Sequence, residues 1–213
     1  MALKPFSNLF VALILFGCSF ENKEEINYET EFNTIVSEFE QSSILDFKKE
    51  EIDTSTFIEK FILKLDKQKN IYLQEDFSKL QESSIKENKV SYQLLREVVD
   101  LYYARYEESL KLRRHYLNNY DFDFNKKEKI DLKPREKFFR STEEKKDYQR
   151  KIIKNELINL LLENKNNFEA KNELKKIYRN RISSISKIRE SDKFGVLANN
   201  FLSMLDPHAS YFS

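Results

Sequence analysis

Two glycines and three prolines are spread over 213 residues, and no other feature limits the fold as strongly. Turn-rich β architectures need both residues at their bends. A chain with so few of either, and with 34% charged residues, is written for helices. An apolar share of 40% supports a packed core and excludes a wholly disordered chain. The expected fold is all-α, an irregular domain of about six to eight helices.

Apolar spacing of three and four places these helices. Phe32, Ile35, Val36 and Phe39 make a short amphipathic helix over 32–39. Thr54 or Ser55 is expected to cap a second, whose apolar face is Phe57, Ile58, Phe61, Ile62 and Leu65. Asp76 is expected to cap a third, running to Glu87. The longest candidate is Ser91–Asn118, with Leu94, Val98, Leu101, Tyr102, Tyr106, Leu112 and Tyr116 on one side. Its tyrosines read as core-edge aromatics. Residues 118–146 break the pattern with Asn118-Asn119, Phe122, Phe124 and Pro134, a long polar connection with aromatic anchors. A connection of that length inside a domain packs on something or carries function. The charge run Lys126–Lys129 reads as a solvated face. Helix resumes over Lys145–Glu163 and Glu169–Arg189. A last helix, capped by Asp192 and carrying Phe194, Leu197, Phe201, Leu202 and Leu205, closes at Asp206-Pro207, because the residue before proline leaves the α region.

The first twenty residues differ from the rest. A basic start at Lys4 leads into Leu9–Phe16, LFVALILF, and then to Gly17 and Cys18. Eight apolar residues fall well short of the ~20 that span a bilayer. With a small residue before the cut, they describe a secretory signal peptide over 1–17. Leu15-Phe16-Gly17-Cys18 resembles a bacterial lipobox, in which Cys18 is lipidated and becomes the new N-terminus. Ser19 after it favours outer-membrane sorting. Residues 18–30 then form a polar tether, residues 31–213 the helical domain, and the membrane is reached by the lipid alone. Cys18 is the only cysteine, so no disulfide framework exists.

Charge and chemistry narrow the function further. Residues 1–17 carry one Lys, so of the 37 basic and 36 acidic residues of the chain the remainder keeps equal numbers. No electrostatic footprint for nucleic acid results. His115 and His208 are the only histidines, and no Cys/His cluster has metal-ligand spacing. No phosphate loop can be built from two glycines, and no cofactor is expected. Asp206, His208 and Ser210 contain the residue types of a serine-hydrolase triad. Three members within five residues of one tight turn cannot orient base against nucleophile, and they read as a capped turn that stops a helix. No catalytic, cofactor-binding or metal residue is assigned.

That turn carries a resemblance. FLSMLDPHASYFS, Phe201–Ser213, resembles a segment that lies before the PDZ domain in C-terminal-processing serine proteases, and its "YFS" ending is similar to the tail-specific protease branch. The junction motif is Leu205, Asp206, Pro207, His208, Ser210, Tyr211 and Phe212. Earlier stretches agree in order over Asp53–Ser213. Leu63–Asp66 with Tyr72-Leu73-Gln74 and Asp76 resembles the branch's early helix and turn. Phe122-Asp123-Phe124 and Arg135-Glu136-Lys137 resemble its mid-domain connection. Asn155-Glu156-Leu157 and Tyr178-Arg179-Asn180-Arg181 match later helices. Aromatic positions that are often Trp in the family are Phe138-Phe139 here. A weak internal echo also appears: Phe61…Leu65-Asp66…Tyr72 and Phe201…Leu205-Asp206…Tyr211 share a Leu-Asp ending, a short turn and an aromatic plug, which reads as convergent helix-ending chemistry.

The resemblance implies a periplasmic serine endopeptidase that processes proteins from their C-termini. A PDZ domain captures the substrate tail, a Ser/Lys dyad cuts it, and the helical N-terminal domain packs around the protease core. The PDZ and dyad segments have no counterpart in these 213 residues, so this chain is expected to be inactive alone. Its expected partners are the PDZ and protease domains of the same polypeptide or of a separate chain, protein substrates, and an adaptor lipoprotein. The competing expectation is a free-standing helical lipoprotein acting as an adaptor.

Overall fold

The structure, a computed structural model, describes residues 26–42, 48–163 and 165–211. The signal peptide, Cys18 and Phe212 lie outside the described residues. Among those described, seven α-helices are present: α1 (Tyr28–Ser42), α2 (Thr54–Leu65), α3 (Gln74–Glu87), α4 (Tyr92–Asn119), α5 (Thr142–Leu162), α6 (Asn167–Ile185) and α7 (Glu190–Leu205), with one short 3-10 turn at Lys49–Glu51. A single backbone bridge, Leu73 to Phe139, is the nearest approach to a sheet among the described residues. The all-α expectation holds.

Helix starts are set by side chains that accept the first free amides, and several differ from the expected caps. Asp53, ahead of Thr54, accepts from Thr56 N at 2.7 Å and starts α2. Asp76 is the third residue of α3 and reaches back to accept from Leu73 N at 2.9 Å. Asp192 does the same for Arg189 N in α7, also at 2.9 Å. Ser91, where the longest helix was expected to begin, caps α4 by accepting from Leu94 N. Asn27 Oδ1 accepts from Glu29 N and Thr30 N, so α1 begins four residues before the periodic stretch and takes in the end of the segment read as tether. Ser141 starts α5 three residues early. Asn166 caps α6, which stops at Ile185, short of Arg189.

Helix α4 runs through the centre and packs against each of the other six. Along its N-terminal half lies a first core, where Leu94, Leu95 and Val98 meet Phe32 and Val36 of α1, Ile58, Phe61 and Ile62 of α2, and Phe194, Phe201 and Leu202 of α7. Along its C-terminal half lies a second, where Leu110 and Leu117 meet Ile153 and Leu157 of α5 and Ala170, Leu174 and Tyr178 of α6. Each such side chain, fully buried, contributes about 1.5–3 kcal/mol.

A polar waist separates the two cores. Arg105 of α4 pairs with both oxygens of Asp76 of α3, each at 2.8 Å, and donates to Glu108 at 3.1 Å. Lys145 of α5 is fully buried there, and its three N–H groups find three acceptors: Ile71 O at 2.8 Å, Arg105 O at 3.3 Å and Glu108 Oε2 at 3.4 Å. Burial lowers the Lys145 pKa, opposed by Glu108. A buried cation saturated this way orients α5 against α4, and losing one partner leaves a charge uncompensated. Tyr102, Tyr103 and Tyr106 ring the same waist, half-buried and packed on one another, as core-edge aromatics should be.

Candidate functional site

Two features stand out from the packed helices: the turn that follows α7, and the connection between α4 and α5.

In the first, Asp206 ends α7 with its N–H on Leu202 O at 2.9 Å. Ala209 N then donates to Asp206 O at 3.0 Å, and His208 N to the Asp206 carboxylate at 2.8 Å. The carboxylate is thus spent on a backbone amide. Pro207, His208 and Ser210 are exposed and Leu205 is half-buried at the edge of the first core. Among the described residues, no hydrogen bond joins the side chains of Asp206, His208 and Ser210, and Asp206 acts as the cap of the turn.

Beyond the turn, the chain folds back along α7. Tyr211 N donates to Asn199 Oδ1 at 2.8 Å, and Asn199 Nδ2 donates to Tyr211 O at 3.1 Å and to Gly195 O at 2.9 Å. One amide side chain therefore grips both backbone groups of Tyr211, as a neighbouring strand would. The Tyr211 ring stands edge-on to Phe194, centroids 5.3 Å apart, and Phe194 meets Tyr28 of α1 at 4.9 Å. Lys64 of α2 reaches Ser203 Oγ at 2.6 Å. Tyr211 is thus held by α7 through its backbone, and its ring packs on Phe194 next to α1. Asn199 carries no periodic or motif signal, which is why sequence reasoning passed it over.

The connection, residues 120–141, is pinned at two places. At the first, Tyr120 and Phe122 continue an aromatic ladder from Tyr116, with centroids 5.8 and 4.8 Å apart, and Phe122 enters the second core. Glu128 then bridges Arg150 at 2.5 Å and Lys154 at 2.8 Å, while Lys154 also donates to Lys126 O at 2.7 Å. These partners, Arg150 foremost, hold the Glu128 carboxyl at about 2. The run 126–129 is therefore not wholly solvated: its lysines are exposed, but Glu128 and its two cations are nearly enclosed. At the second place, Phe138 and Phe139 are buried and Gln74 N donates to Phe139 O at 2.8 Å. The Arg135 guanidinium lies 4.1 Å from the Phe139 ring centroid and pairs with Glu144. Phe138 and Phe139 thus dock the connection against the core. Between the pins, residues 129–134 cross an open cleft whose other wall is the first turns of α5.

His115 lies exposed on α4, and no group of three or more His, Cys, Asp or Glu able to hold a metal occurs among the described residues. No described helix is long and apolar enough to cross a membrane. What the geometry provides, among the described residues, is a helical body with a braced last turn and an open cleft beside the connection. No curated protein matches the chain. Residues 35–213, however, match the family model described as the tail specific protease N-terminal domain, a span that takes in every described helix from within α1 to the turn at Asp206. The chain belongs to the tail specific protease N-terminal domain family.

Proposed function

We propose that this domain is the scaffold and substrate gate of a periplasmic tail-specific serine endopeptidase, which processes proteins from their C-termini by a Ser/Lys dyad carried outside residues 1–213. Export by the 1–17 signal and lipidation at Cys18 hold it at the outer membrane. The observation that carries this reading is the Asn199 grip on Tyr211: a junction held at both backbone groups orients whatever follows it against α7. The PDZ and protease regions, in the same polypeptide or a separate chain, are the partners this junction serves, and protein tails are the substrates.

The test begins by reading the coding sequence past Ser213. Continuation into a PDZ-like region bearing the Ser and Lys supports the proposal. It also allows a direct assay: the long polypeptide cleaves a reporter with an apolar C-terminus, and Asn199→Ala lowers that rate without changing the cleavage position. Chain 1–213 alone cleaves nothing, with or without Ser210→Ala. A secreted, stable 1–213 protein with no such continuation, recovered bound to another envelope protein, replaces the proposal with the adaptor reading.

A further inference from the structure

We propose that the cleft between residues 129–137 and the first turns of α5 binds an acidic, extended polypeptide segment. The lining contains both signs of charge, but they are not equally committed. Glu144 is held by Arg135, and Asp147 by Lys151 and Arg150. Asp131, which accepts only from the backbone Lys133 N, and Glu136 have no ion-pair partner among the described residues. Against these two stand four exposed cations, Lys129, Lys133, Lys137 and Arg140, likewise without an ion-pair partner among the described residues. The rim is therefore cationic in what it can offer a ligand.

The arrangement favours a polymer over a single small anion. Lys129 and Lys133 belong to a stretch without helix or turn, where four residues extend up to about 13 Å. Cations spaced along such a stretch match carboxylates spaced along an extended strand. The backbone supplies a second and independent argument. Among the described residues, no backbone-to-backbone hydrogen bond is made by residues 121–134, and Arg135 N is the first to pair, with Gln68 O at 3.1 Å. Lys133 N is taken by the Asp131 side chain and Pro134 has no N–H, but the backbone groups of residues 129–132 have no backbone partner and can serve an added strand. Lysines and Pro134 along that edge discourage pairing with arbitrary strands, so a partner with carboxylates is selected over an apolar one. The Glu128 and Phe138–Phe139 pins keep the edge in place before any ligand arrives, which removes part of the ordering cost of binding.

The measurement is fluorescence anisotropy of a labelled peptide alternating Glu and Val, titrated with the full chain, beside its Gln-for-Glu analogue and vesicles rich in anionic lipid. The acidic peptide is expected to bind and the Gln analogue to bind at least about tenfold more weakly, with affinity falling about tenfold from low to moderate salt because exposed charges are screened. The combined change Lys129→Glu, Lys133→Glu and Lys137→Glu is expected to weaken binding at least about tenfold at an unchanged melting temperature, since these side chains are exposed and unpaired. Equal binding of both peptides overturns the proposal, as does full binding by the triple variant. Binding of the vesicles without the acidic peptide overturns it in favour of a membrane contact, with Leu132, 59% exposed, as the inserting residue.

Discussion

The turns after α2 and α7 share a Leu-Asp ending and a following tyrosine and make the same backbone bonds, yet they do different work. In each, an Asp ends the helix with its N–H on the carbonyl four residues back, at Ile62 and Leu202, and its own carbonyl accepts from the residue three ahead, Lys69 and Ala209. Side chains part the two. Asp66 is 2% exposed and its carboxylate collects Asn70 N, Ile71 N and Tyr72 N at 2.9–3.1 Å. Tyr72 behind it is wholly buried and donates from its hydroxyl to Val98 O at 2.8 Å. Asp206 collects one amide, and Tyr211 stays half-exposed under the grip of Asn199. The first turn is a keystone inside the domain. The second is a bracket at its edge. Matching local chemistry therefore says how a helix stops, and says nothing of how much depends on the stop.

The comparison can be broken most forcefully at Asp66. Asp66→Ala leaves three backbone amides without their acceptor in the first core and is expected to cost about 3–5 kcal/mol in denaturant unfolding. A loss below about 1 kcal/mol would make the two turns equivalent. Tyr72→Phe removes one buried hydrogen bond, while Val98 O keeps its place in the α4 ladder, and is expected to cost about 1–2 kcal/mol. Asn199→Ala acts at the bracket: global stability falls by about 1 kcal/mol or less, while amide exchange at Tyr211 accelerates well beyond that of the core. Gly195, in the same stretch of α7, has nothing within 4 Å of where a Cβ would stand. Gly195→Ala is therefore expected to add about 0.5–1 kcal/mol, by relieving the entropic cost of glycine within a helix.

The smallest global effect is expected at the connection, where acidity is the handle. The Glu128 carboxyl sits at about 2, against an ordinary value of 4.5. A depressed carboxyl contributes stability that is complete above its unfolded value and is lost as pH falls through its folded one. Between about pH 4.5 and 2 the Glu128 pin should therefore release, read as faster amide exchange over residues 120–130. Glu128→Gln should show that faster exchange already at neutral pH, and little further change on acidification.

Much of this was legible before any coordinates. Leu94, Val98, Phe57, Phe61, Phe201 and Leu202 fall at helical spacing, and all are buried; periodicity reports a helix's inward face because only one stripe can meet the core. The stop at Asp206-Pro207 and the start at Ser91 follow from local backbone chemistry. Less was legible where a residue's partner lies far along the chain. Lys145 and Lys154 carry no periodic or motif signal, because their acceptors sit on Ile71, Glu108, Lys126 and Glu128. Glu128 was hidden among the lysines around it, and Asn199 among polar neighbours.

The sequence by itself determined that this chain is helical and where most of its helices lie, because propensity, periodicity and capping act within a few residues; the letters of its last turn carried the resemblance to tail-specific proteases. Only the tertiary structure decided that α4 serves two cores across a polar waist, that Asp66 is a keystone while Asp206 is not, and that the connection is pinned around an open cationic cleft. Those outcomes depend on burial, and burial depends on which distant elements arrive beside a side chain to exclude water from it.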